Sequence, residues 1–163
     1  MKKLSIICTL AFAASAMSAG AAAFQASLTP DTAIQAKSTE IDGLTLSVWG
    51  ENPQHALSLG FVNGSTGDSS GLSWAFLLNY DDSYKGVQLG LVNYSKEDYL
   101  GLQLGCVNAA EGKFKGLQWG FVNYTENLHG VQIGFINVAE NNPWFTEFPD
   151  KLAKGFPIVN WSF

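Results

Sequence analysis

Arginine does not occur in this chain of 163 residues, and all nine of its basic residues are lysines. Nucleic-acid and phosphate binding lean on guanidinium forks and basic patches, so neither is expected. Cysteine is nearly absent too. Cys8 lies close to the N-terminus, which leaves Cys106 alone in the body of the chain and allows no intrachain disulfide there. A nucleophilic thiol needs a base beside it, and the only histidines are His55 and His129. No histidine pair or Cys/His cluster has metal-ligand spacing. The acids Asp81, Asp82, Glu97, Asp98, Glu111 and Glu126 fall in turn segments, away from the strand faces that would hold paired carboxylates rigidly for glycan cleavage. Neither a catalytic residue, a metal site nor a cofactor is expected, so the chain reads as non-enzymatic.

Long apolar runs are also missing. The one short run, residues 4–14, follows Lys2 and Lys3 and precedes small residues over 18–23. That order predicts a signal peptide over residues 1–23, with cleavage after Ala21 or Ala23. Without Lys2 and Lys3, seven lysines face fourteen acids, a formal charge of −7. An acidic balance fits solubility outside the cell and selects no partner.

What the chain does contain is repetition. GVQLGLVN, GLQLGCVN, GLQWGFVN and GVQIGFIN begin at Gly86, Gly101, Gly116 and Gly130, with weaker copies at Gly43, Ala56 and Gly71. A fixed period near fifteen residues marks a stacked-repeat protein. Counting each unit from its first residue, positions two, four and six are apolar, for example Leu102, Leu104 and Cys106, or Leu117, Trp119 and Phe121. Alternation of this kind predicts β-strands with one buried side. On that basis Trp74 and Trp119 fill the core, and Cys106 is a small buried hydrophobe. Glycine, glutamine and, at position eight, asparagine lie between, and polar turn residues follow.

Two architectures use such strands. In a parallel β-solenoid of about seven to eight coils, Asn stacks on Asn and Gln on Gln, about 4.8 Å apart. In an eight-stranded antiparallel β-barrel the units alternate in direction, and the terminal Phe163 resembles an outer-membrane signature. The steps between units are 13, 15, 15, 15, 15 and 14 residues, with no up–down alternation. Three apolar rows are also too few for a lipid-facing band. The all-β solenoid is therefore the preferred fold, with the barrel as the alternative. Its organisation is a signal peptide (1–23), an N-terminal cap or tail (24–42), a repeat domain (43–137), and a C-terminal cap with a last partial repeat (138–163). Trp144, Phe145 and Phe148 form the apolar side of that cap, and Ile158 to Asn160 resume the end of a unit.

The G-[VL]-Q-[LIW]-G-[LCF]-[VI]-N units and the closing PIVNWSF resemble the bacterial surface-repeat proteins, exported chains with tandem GVQIGLVN-like words. The match covers about residues 56–137 and 155–163; units with Ser58 and Ser73 depart from the word. The resemblance implies export to the periplasm, outer membrane or cell surface and offers no catalytic residues. Taken together, these readings predict a structural or adhesive protein of the cell envelope, partnered by envelope glycan or another surface protein. The alternatives are an outer-membrane barrel, which alone implies membrane insertion, and a carbohydrate-binding or cleaving module. The binding candidates are Tyr80, Tyr94 and Tyr124 beside Gln88, Gln103, Gln118 and Gln132, if that glutamine row faces outward. The competing reading makes the glutamines a structural ladder.

Overall fold

The computed structural model describes residues 20–163. Most of the expected signal peptide therefore lies outside the described residues. Nine strands follow in order: β1 (Ala22–Thr29), β2 (Thr32–Ala33), β3 (Ile41–Asn52), β4 (Leu57–Leu89), β5 (Val92–Ser95), β6 (Tyr99–Leu104), β7 (Val107–Trp119), β8 (Val122–Ala139) and β9 (Gly155–Ser162). β4 alone has 33 residues. Laid straight it would span about 110 Å, so it winds about the molecular axis instead.

Like meets like along that axis. Gly86 lies opposite Gly101, Gly101 opposite Gly116 and Gly116 opposite Gly130; the glutamines two residues on follow the same register. β3 to β8 pair in parallel, and the coils form a β-solenoid of about seven turns. Successive units of a meander barrel run in opposite directions, so the parallel register removes the barrel alternative. β1 adds to the stack in parallel with β3, so the segment before Gly43 contributes a strand to the coil stack.

The coil is inverted relative to the expected core. Gln88, Gln103, Gln118 and Gln132, with Asn93, Asn108, Asn123 and Asn137, are no more than 1% exposed. The apolar rows instead point out: Trp74 and Trp119 are each 60% exposed, and Phe135 is 70% exposed. Cys106, in the same outer row as Phe135, is half-buried. Alternation fixes which residues share a side of a strand, but not which side faces inward. Here the hydrogen bonds decide it. Identical amides one strand spacing apart satisfy one another along the axis, so their burial leaves few orphaned groups.

Two amide columns run through the interior. Asn79 donates to Asn93, Asn93 to Asn108, Asn108 to Asn123 and Asn123 to Asn137, each at 2.8 Å. The second N–H of each goes to a backbone carbonyl of the next coil, as from Asn108 to Trp119 O at 3.0 Å. Donation in the glutamine column runs the other way: Gln132 to Gln118, Gln118 to Gln103 and Gln103 to Gln88, at 2.8–3.1 Å. Thr45, Ser58 and Ser73 take the glutamine position in the earlier coils and are likewise buried. A third row lies two residues before the units: Ile41, Tyr84, Tyr99, Phe114 and Leu128 are apolar or aromatic, Gln54 and Ser69 are polar, and all are buried. The Tyr99 and Phe114 rings stack at 5.3 Å.

Glycine is required where coils touch. Gly101 and Gly116 have φ of 142° and 141°, and a Cβ on either would overlap the carbonyl oxygen of the glycine one coil earlier. That conformation favours glycine on its own account.

The glutamine column ends on Asp81. Gln88 and Ser95 donate to its Oδ2, while Oδ1 has no partner among the described residues. Burial pushes the Asp81 carboxyl up to about 7, against the pull of those two donors.

The C-terminal end closes differently from the expectation. β9 pairs antiparallel with β8, placing Asn160 opposite Gln132 and Ser162 opposite Gly130. Ile158 to Asn160 therefore form no further coil; the strand runs backwards over the last one. Leu152 and Ala153 are buried at this end, and Asn137 donates to Phe156 O at 3.0 Å. Trp144, Phe145 and Phe148, the apolar side of the cap, are each more than half exposed. They pack on the outside against Phe156 and Trp161.

Two predictions follow from the interior columns. Asn108→Leu breaks the column on both sides and leaves one Asn93 N–H and the Asn123 Oδ1 without a partner. It should destabilise the fold by about 3 kcal/mol or more in urea denaturation; a neutral result would mean that the column does not hold the coils together. For Asp81, the folded state keeps its proton between about pH 4 and pH 7 while the unfolded chain has released it. Stability should therefore fall as pH rises through that window, by an amount on the order of a few kcal/mol. Asp81→Asn should abolish the slope and raise the melting temperature at pH 8; an unchanged pH profile would refute this account.

Candidate functional site

The inversion leaves the outside of the coil apolar. At positions two, four and six of every unit from Gly43 to Gly130 the outward residue is hydrophobic, and position seven continues the band. Positions six and seven both face out, as at Phe135 (70% exposed) and Ile136 (56%). In a strand, neighbours point to opposite sides. Two successive outward residues therefore mark a convex corner, and the chain bends just before it at Gly90–Leu91, Gly105–Cys106 and Gly120–Phe121. Phe61, Phe76, Phe121 and Phe135, all more than half exposed, line this ridge, and Phe121 stacks on Phe135 at 5.4 Å.

A groove of about 560 Å³ runs beside the ridge at the C-terminal end. Leu104, Trp119 and Ile133 form one wall, Phe121, Phe135 and Ile158 the other, and Gly105, Gly120 and Gly134 the floor. The walls come from positions four and six, and the floor from the glycine between them. Soluble monomers rarely expose contiguous apolar patches beyond a few hundred Å². A surface of this kind marks a place where something docks.

The band has polar borders. On one side, position nine carries Tyr80, Tyr94 and Tyr124, all half-buried. Tyr80 Oη donates to Glu51 Oε2 at 2.8 Å and accepts from Trp49 Nε1 at 3.0 Å. Burial pushes the Tyr80 hydroxyl up to about 12, opposed by the Trp49 bond and reinforced by Glu51. A hydrogen bond with Glu111 raises Tyr94, and burial raises Tyr124. On the other side, the residue before the unit is Lys85, Lys115 and His129 in three of the later coils, all exposed, with Leu100 in register between the two lysines and Asp42, His55 and Ser70 at this place in the earlier coils. Contrary to the expected turn positions, Asp82, Glu111 and Glu126 lie within β4, β7 and β8; Glu97, Asp98 and Glu140 lie between strands, and all six are outside the apolar rows.

The candidate binding residues are thus separated. The three tyrosines share an outer row, Tyr80 against Tyr94 and Tyr124 two coils further on. Gln88, Gln103, Gln118 and Gln132 do not join them: they are the interior column, and Gln118 reaches the Tyr124 carbonyl from inside at 3.2 Å. The outward amide row is therefore corrected to a buried ladder. The acidic pairs also diverge, because Asp81 is buried in the column while Asp82 faces Lys96.

One constellation was not legible in the sequence. His55 Nδ1 lies 3.1 Å from Ser70 Oγ, and His55 Nε2 lies 3.0 Å from Glu40 Oε1. Hydroxyl, imidazole and carboxylate in series have the composition of an acyl-transfer relay. Ser70 also lies within Gly67-Asp68-Ser69-Ser70-Gly71, which has Gly-x-Ser-x-Gly spacing. The motif's middle serine is Ser69, however, buried and bonded to Gln54 N and Thr66 O. The surrounding chain is strand β4 rather than a strand-to-helix elbow. The amides that could form an oxyanion hole are already used: Ser70 N donates to Gln54 O and Leu72 N to Ala56 O. The trio ties neighbouring coils together.

No family model matches the chain, and no curated protein or solved structure matches it.

With no free oxyanion donors beside it, Ser70 should remain unlabelled by a fluorophosphonate probe at neutral pH. Mass-spectrometric detection of an adduct on Ser70 that is lost in His55→Ala would give the trio a catalytic role.

Proposed function

We propose that this chain is a non-enzymatic, exported repeat protein with a structural or adhesive role at the bacterial envelope, and that its apolar outer face is the working surface. The observation that carries this reading is the inverted coil. The amide side chains of the repeats are committed to interior columns, while the large hydrophobes stand in ordered rows outside. Such an arrangement suits adhesion through apolar area better than recognition of a glycan by amides, since the glutamines of the glycan-binding face lie within the coil. The basic, apolar and small-residue order at the N-terminus supports export.

The stack adds a constraint on processing. β1 begins at Ala22, whose N–H donates to Glu40 O at 2.8 Å. Cleavage after Ala21 keeps β1 whole, whereas cleavage after Ala23 removes its first two residues. Fractionation of cells expressing the chain should place the processed protein in the envelope or outside the cell, and N-terminal sequencing should begin at Ala22. Accumulation of uncut precursor in the cytoplasm would overturn the proposal. In the envelope, an open solenoid should keep ordinary gel mobility without heating.

A further inference from the structure

We propose that the outer face docks on a lipid surface, with the Phe and Trp rows in the acyl layer and the bordering Tyr and Lys rows at headgroup depth. This deepens the proposed function and rests on its claim that the apolar face is the working surface.

Three observations favour lipid over a second protein. The first is shape. The apolar rows turn a convex corner, where Phe135 and Ile136 both face out at 70% and 56% exposure. A rigid partner pressed against positions two, four and six leaves position seven uncovered beyond the corner. A fluid layer closes around the ridge on both sides.

The second is the pair of borders. Tyr80, Tyr94 and Tyr124 edge the band on one side, and Lys85, Lys115 and His129 on the other. Tyrosine places an apolar ring beside a polar hydroxyl, and lysine lays its methylene stem along apolar surface while its ammonium stays wet. Both residue types anchor proteins at the boundary between acyl chains and headgroups.

The third is charge. Positions two, four, six and seven carry no carboxylate in any unit from Gly43 to Gly130; the acids nearest the band are Asp42 at one border and Glu51 and Glu111 on the tyrosines of the other. Among the described residues Lys85, Lys113 and Lys115 make no ion pair, whereas Lys37, Lys96, Lys151 and Lys154 each do. The free ammonium groups of Lys85 and Lys115 beside the band suit anionic phosphate headgroups.

The test uses the full chain and vesicles of phosphatidylcholine and phosphatidylglycerol at three to one, read by flotation. The comparison is Phe76→Glu/Phe135→Glu, which changes two of the most exposed ridge residues and shares its N-terminus with the parent. Circular dichroism and melting of the variant should match the parent, because neither side chain is interior. The parent should float, and the variant should bind at least tenfold more weakly. Lys85→Gln/Lys115→Gln should weaken binding to these vesicles by about fivefold per lysine and leave binding to pure phosphatidylcholine unchanged. Equal flotation of parent and ridge variant overturns the proposal. A parent that does not float, but forms a dimer in light scattering that the ridge variant dissociates, also overturns it while leaving the outer face as the working surface. A monomer that does not float removes both readings.

Discussion

The amide-to-amide hydrogen bond along the solenoid axis is the constraint on which the rest of the molecule depends. A buried carboxamide brings two N–H groups and an oxygen that must all be satisfied. In the asparagine column, Asn108 meets the requirement by giving one N–H to Asn123 and the other to the Trp119 carbonyl, while its oxygen accepts from Asn93. Each coil completes its neighbour, and interior residues have little freedom to vary. The same pairing requires close coil contact, which is why glycine recurs where one backbone rests on the next.

Fixing the amides inside has a second effect. With one side of each strand given to Asn, Gln and Gly, the hydrophobes of the other side are forced outward. The outer band is thus the other half of the device that locks the coils. What stays variable from unit to unit is outside: Leu104, Trp119 and Ile133 succeed one another at one position, and Leu91, Cys106, Phe121 and Phe135 at another. Surface chemistry can change there while the ladders remain intact.

Much of the architecture was legible in the chain. Four near-identical units at Gly86, Gly101, Gly116 and Gly130, spaced evenly, are enough for a stack of parallel coils. The sign of the alternation was not legible from hydrophobicity, because a period of two assigns residues to sides without saying which side is wet. A better signal was present: Gln and Asn recur unchanged in the four strong units, whereas the apolar positions vary freely in size. Identity without variation suits residues that must interlock with copies of themselves. The backward course of β9 was hidden because its Ile158-Val159-Asn160 imitates a unit ending, and strand direction leaves little trace in so short a segment. The Glu40, His55 and Ser70 contact was hidden for another reason: its members come from neighbouring coils and meet only once the register is known.

The two columns donate in opposite directions, asparagine toward the C-terminal end and glutamine toward the N-terminal end. Each column alone would be a row of aligned dipoles, equivalent to opposite partial charges at its two ends, as in a helix. Side by side and opposed, they largely cancel along the axis. The two ends of the stack therefore carry little net axial dipole, and a coil can be added or removed without changing the electrostatics that the terminal strands must meet.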